Sequence, residues 1–180
     1  EQRSHGLGYR LKCAQRDFVL DQGIEIMTWT FDPLQSRNAF LNFRKLGVVA
    51  DTYLPDFYGS DASSFLHRNG TDRLWVSWHL SHRHVRDRLS GSIVDEVSGD
   101  HAVLVSVGSS GQPVTNDAGD AEDIDRLVIE IPGEIDAIGE ADPELARAWR
   151  RHTRKAFRAA IDAGFLVEDF FVAERSGQRV

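Results

Sequence analysis

The first 60 residues switch repeatedly between two hydrophobic periods, and that alternation restricts the fold more than any other feature. Leu7, Leu11, Ala14 and Phe18 fall on one face of a 3.6-residue period, so a helix is predicted there. Gly23 stands where a helix-terminating glycine is expected. Ile24 to Phe31 is β-branched and aromatic with partial alternation, which predicts a strand that Asp32-Pro33 ends. Ser36 is the expected cap of a second helix running to Lys45 or Leu46, with Gly47 as its stop. Val48 to Tyr58 reads as another strand, interrupted near Pro55. Helix, strand, helix, strand with short connections describes a layered α/β unit.

The remainder carries similar punctuation. Asp61 to Thr71 reads as a polar loop and Leu74 to Leu80 as a strand with one buried face. Ser81 to Ser90 is basic and fits a short helix, and Ala102 to Val107 a buried strand. Ser109 to Asp125 has almost no apolar content and reads as an exposed loop. Arg126 to Ile131 is a strand that Pro132 closes. Asp142 caps a long helix with Pro143 in its first turn and Gly164 at its end. Leu145, Trp149, Ala156, Phe157, Ala160 and Ile161 form its apolar stripe. Its basic face (Arg147, Arg150, Arg151, Arg154, Lys155 and Arg158) is expected in solvent, pairing with the acidic segment 95–125. Phe165 to Ala173 is predicted as a final strand.

Composition narrows the function classes. A chain of 180 residues with 41% hydrophobic and 27% charged residues is globular. A net charge of −7 gives no support to nucleic-acid binding. No apolar run nears the roughly 20 residues of a membrane helix. The single Cys13 excludes an intramolecular disulfide and a multi-cysteine metal site, and fits a reducing, cytoplasmic setting. The chain begins at Glu1 and its one methionine is Met27, which predicts a piece of a longer reading frame. No signal-peptide pattern opens it.

The chemical signal is Arg3-Ser4-His5-Gly6-Leu7-Gly8 opening a helix. Glycines there let backbone N–H groups approach an anion, and the helix N-terminus adds positive partial charge. Arg3 and Arg10 can add charge-assisted contacts. The pattern is neither the dinucleotide fingerprint nor a Walker loop, and a plain turn also fits two glycines. A nucleotide-binding module would need an acid at a strand end about 20 residues on. Glu25 and Asp32 bracket that distance, but Glu25 starts its strand.

Spacing adds specificity. Arg3-x-x-Gly6-x-Gly8, then a strand, then Asn38-Ala39 through Lys45-Leu46-Gly47, resembles the acyl-CoA-binding core of the GNAT (Gcn5-related N-acetyltransferase) superfamily. Trp29 to Leu34, Arg37-Asn38-Ala39, Asp56-Phe57-Tyr58-Gly59 and Thr71 to Leu74 resemble a branch of larger acyltransferases. That branch includes N-succinyltransferases acting on amino acids. The likeness is dense over residues 1–80 and thinner over 126–175, where Asp142 to Ala146 and Ala163-Gly164-Phe165 fit it.

The resemblance implies an α/β (α+β) fold: a mixed, mostly antiparallel sheet flanked by helices. Residues 1–80 would be the C-terminal part of the acyl-CoA-binding core, and 81–180 an extension with strands and a long amphipathic helix. It implies that Arg3, Ser4, His5, Gly6, Leu7, Gly8 and Tyr9 hold the CoA pyrophosphate and that Asn38 binds the pantetheine arm. An acetyl or succinyl group would pass from acyl-CoA to the amine of a small molecule, such as an amino acid, by direct attack. Acyl-CoA is then a co-substrate, with no metal, nucleic acid or membrane partner, and a homodimer is compatible. Two departures matter. The family's preceding helix pair and strands, which supply the general base, are not in this chain. The position that usually holds a thiolate-protonating Tyr is Phe43, which has no proton to donate. The alternative is a non-catalytic remnant that binds CoA or completes its sheet against another chain.

Other residues weigh toward structure. Asp32 fits turn chemistry, with contact to the acceptor as its functional reading. Trp29, Trp75, Trp78 and Trp149 read as core aromatics, with Trp29 placed to line an acceptor pocket. His79, His82 and His84 lack an interleaved acid or Cys and read as surface or strand-end residues. Cys13 reads as a half-buried thiol.

Overall fold

A computed structural model describes residues 6–59, 70–92, 101–116 and 124–172, together with short strands at 174–175 and 178–179. The predicted alternation is present. Helix α1 (Leu7–Leu20) leads through a turn at Gly23 into strand β1 (Ile26–Phe31). Helix α2 (Ser36–Ala39) runs directly into a π-helical segment (Phe40–Leu46), followed by β2 (Val49–Leu54) and β3 (Arg73–His79). These strands form an antiparallel sheet in the order β1-β3-β2. Then come α3 (Arg83–Leu89), β4 (Ala102–Val107), β5 (Pro113–Thr115), β6 (Leu127–Ile129), α4 (Ile135–Ala141) and α5 (Pro143–Asp162). A second sheet has the order β5-β4-β6, antiparallel then parallel, and β7 (Glu174–Arg175) pairs with β8 (Gln178–Arg179). The chain is an α+β protein with mixed, mostly antiparallel sheets.

Two apolar clusters hold the elements. The first joins Phe31, Phe43, Leu46, Val48, Leu74, Val76, Trp78 and Phe157. The second joins Leu34, Val105, Ile131, Ile135, Trp149 and Ala156. Phe157 of α5 reaches the first and Leu34 the second, so a division at residue 80 does not separate the cores.

Several terminators act as the sequence indicates. Asp142 accepts the amide hydrogens of Glu144 and Leu145, each at 3.0 Å, and Pro143 opens α5. Gly47 stops the π-helical segment with φ +69°, and the Val48 N–H reaches back to the Asn42 carbonyl at 3.1 Å. A Cβ on Gly47 would fall 3.0 Å from Arg88 Cγ and 3.3 Å from Val85 Cα, so α3 packs where only glycine fits.

Other expectations are corrected. Gln35, not Ser36, occupies the cap of α2, because the Ser36 hydroxyl donates to the Gly133 carbonyl at 2.6 Å. Strand β2 ends at Leu54, since Pro55 cannot donate to the ladder and Asp56 turns to φ +48°. Within 109–125, Pro113–Thr115 pairs with β4, so that stretch is not wholly loop. Of the strand expected over Phe165 to Ala173, residues 165–172 form one bridge, Val167 to Ala50, and no ladder, and Ala173 lies outside the described residues. Helix α4 carries no strong periodic signal and was not expected.

The apolar stripe of α1 is also reversed. Leu7, Leu11, Ala14 and Phe18 are exposed, with Phe18 at 68%. The helix docks through Tyr9, Lys12, Cys13, Arg16, Val19 and Leu20, which are half-buried. Arg16 fixes this choice: its Nε and Nη2 donate to the Leu80 carbonyl at 2.9 and 2.7 Å. Trp75 is 40% exposed rather than in the core, because it points away from the face carrying Leu74, Val76 and Trp78.

Candidate functional site

The predicted anion cradle is the start of α1. Gly6 caps it in the left-handed region, φ +64°. No acidic side chain lies in its first turn to oppose an anion. Amide groups of a first helical turn have no partner within the helix. Leu7 is exposed, and a Cβ on Gly8 would sit 3.7 Å from Leu41 Cδ2, an ordinary contact. Arg3, Ser4 and His5 lie outside the described residues. Tyr9 is half-buried and its hydroxyl lies 3.5 Å from the Leu89 carbonyl. Burial first, then the Cys13 thiol, raise its pKa above the ordinary tyrosine value.

Asn38 is exposed on α2, three residues before the Leu41 that meets Gly8. The first turn of α1 therefore lies against the π-helical segment that continues α2. Beside them runs β1, which among the described residues pairs only with β3 and leaves its other edge open.

Trp29 is half-buried on the helix-covered face of β1, edge-on to Trp78 with ring centroids 5.9 Å apart. Lys12 Nζ stands 3.7 Å above the Trp29 ring. Burial lowers the Lys12 pKa, which raises its share of free amine.

Asp32 has a different role. Its Oδ1 accepts the Leu34 N–H at 2.9 Å, the turn chemistry the sequence indicates. Both carboxylate oxygens also receive Arg150 of α5, at 2.6 and 2.7 Å. Burial alone would lower the Arg150 pKa, but hydrogen bonding to Asp32 outweighs it and raises the value. Beside this pair, fully buried Asp72 accepts from Tyr53 Oη at 2.5 Å, the Asp56 N–H at 3.0 Å, and Arg154 Nε and Nη2 at 2.8 and 2.6 Å. Arg154 also grips the Asp56 carboxylate at 3.0 and 2.8 Å. Burial pushes the Tyr53 pKa up, and the Asp72 carboxylate adds to the rise.

This network corrects part of the expectation of a solvated basic face on α5; of the acids in segment 95–125 expected to pair with it, all but Asp125 lie outside the described residues. Arg150 and Arg154 instead turn onto Asp32, Asp56 and Asp72, while Arg147, Arg151, Lys155 and Arg158 are exposed. Sequence reasoning missed Tyr53, Asp72, Arg150 and Arg154 as one unit. Each is ordinary locally, and the carboxylates lie 82 to 118 positions from their arginines.

Phe43 is buried, its ring 5.8 Å from that of Phe31. His82 caps α3, its Nδ1 accepting the His84 N–H at 3.3 Å. Among the described residues no group of three His, Cys, Asp or Glu is placed to hold a metal. No described helix is long and apolar enough to cross a membrane. Compared with protein-family models, curated proteins and solved structures, the chain gives no match.

Proposed function

We propose that this chain belongs to an N-acyltransferase of the GNAT kind, which moves an acetyl or succinyl group from acyl-CoA to the amine of a small molecule. The observation that carries this reading is Gly8. Its backbone is helical and a side chain there would meet nothing closer than 3.7 Å. Glycine is a poor helix former even near a helix start, and internal packing does not require it here. Close approach of a large anion to the first-turn amides is a reason for it. The exposed Asn38 and the open edge of β1 are polar groups that a pantetheine arm could bind.

In the reaction, the amine lone pair attacks the thioester carbon. The C–N bond forms, the C–S bond breaks, the electron pair leaves on sulfur and the nitrogen loses a proton. Phe43 has no proton to give, so the thiolate leaves unaided or takes a proton from water. A thiol pKa around 8–9 makes that feasible near neutral pH.

A second reading is favoured by one observation. Leu7, Leu11 and Phe18 of α1 are exposed, as are Ile24 just before β1 and Ile26 at its start, and the outer edge of β1 is open among the described residues, which suits a CoA-binding or chain-association piece without turnover.

Calorimetric titration with CoA tests both. Binding is expected, and Gly8→Glu should weaken it at least tenfold while leaving the unfolding midpoint unchanged. A thiol-release assay with acetyl-CoA and succinyl-CoA over an amino-acid panel then separates the two. Turnover supports the enzyme, binding without turnover supports the CoA-binding form of the second reading, and no binding ends both of these and leaves only chain association, which a monomeric chain in analytical ultracentrifugation would end.

A further inference from the structure

A cavity of about 480 Å³ opens between the first sheet, the π-helical segment, α3, β6 and the end of α5. None of Gly6 to Tyr9, Trp29, Asp32 or Asn38 lines it. Its volume is in the range of small-molecule sites. Phe31, Phe43, Leu74, Phe157, Ile131 and Ile161 supply apolar wall from five separate parts of the chain.

The polar wall is uneven. Arg44 and Arg88 both donate to one oxygen, Asp169 Oδ2, at 3.1 and 2.8 Å. Arg88 Nη1 and His84 Nε2 are buried and have no hydrogen-bond partner among the described residues. Such atoms are costly unless something satisfies them. Of the other acids lining the cavity, Glu130 Oε2 accepts the Val107 N–H at 2.7 Å, Asp125 is exposed next to Arg126 in the chain, and Glu168 is exposed and close enough to act electrostatically on His84.

We propose that this cavity binds a small molecule with an apolar body and one carboxylate. The carboxylate seats at Arg88, and the body lies among Phe31, Phe43 and Phe157. Arg88 offers a planar fork suited to a carboxylate. Burial, then the neighbouring Arg88, hold the His84 pKa below its ordinary value, so near neutral pH the imidazole adds a hydrogen-bonding atom rather than a charge. This site is separate from the acyl-CoA reading and stands without it.

Decanoate and decanol are the probes, titrated into the full chain by calorimetry. Decanoate is expected to bind at least tenfold more tightly than decanol. Arg88→Met keeps the stem that packs on Gly47 and should abolish that preference while leaving decanol binding within twofold. Ala160→Leu narrows the cavity and should weaken both ligands at least tenfold. Circular dichroism confirms that each variant is folded. Equal affinity for the two probes, no binding of decanoate, or a folded Ala160→Leu that binds decanoate normally would overturn the proposal. The wild-type comparison decides even if both variants fail to fold.

Discussion

Helices α1 and α5 are both amphipathic, and both dock on the first sheet, yet they treat their faces oppositely. Helix α5 buries Trp149, Ala156, Phe157 and Ala160, and with them the charged Arg150. Helix α1 buries no residue fully and leaves Leu7, Leu11 and Phe18 in solvent. The difference lies in what faces each helix. Opposite α5, Asp32, Asp56 and Asp72 present carboxylates at the end of the sheet, and Arg150 and Arg154 satisfy them. Opposite α1 lies the Leu80 carbonyl, and Arg16 on the less apolar side takes it. A periodic stripe shows that a helix has a distinct face. The neighbouring polar groups choose which face docks, because burying them unpaired costs more than leaving a leucine wet.

The strongest way to break this comparison is Asp72→Ala. It would strand the Tyr53 hydroxyl and half of the Arg154 contacts, and removing one partner of such a buried pair costs about 3–5 kcal/mol. Urea unfolding should show that loss, and a loss under about 1 kcal/mol would mean that apolar packing alone holds α5.

An effect of intermediate size comes from acid. Burial pushes the Asp72 pKa up, but hydrogen bonds from Arg154, Tyr53 and the Asp56 amide overcome this and hold it below the ordinary carboxylate value. The unfolded state therefore takes up a proton first as pH falls. The stabilisation is complete above about pH 4, the unfolded carboxyl value, and is lost as pH drops through the lower folded value. Urea midpoints measured from pH 7 to pH 2 should fall more steeply below pH 4 for the wild type than for Asp72→Asn.

The smallest effect belongs to α1. Phe18→Ser, on its exposed stripe, should change stability by no more than about 0.5 kcal/mol in the same urea assay. A larger loss would mean that this stripe is covered in solution, and that the two helices are more alike than their exposures indicate.

Local order was readable because its causes are local. Asp142, Pro143 and Gly164 bound α5, Gly47 stops the π-helical segment, and Ala102–Val107 is the strand its apolar run indicates. The start of α1 after Gly6 was legible for the same reason, since a helix cap is made by consecutive residues. Where legibility failed, a distant partner had intervened. Ser36 gave its hydroxyl to Gly133 instead of its own helix, and among the described residues the 165–172 stretch found one partner on β2 rather than a full ladder.

The sequence by itself determined where helices and strands begin and end, since caps, glycines and hydrophobic period act within a few residues. Only the tertiary structure decided that β3 lies between β1 and β2, that Arg150 meets Asp32, and that the apolar stripe of α1 faces outward. Those outcomes depend on pairing buried charges and ladder groups across long stretches of chain, and no local pattern encodes which distant partner will satisfy them.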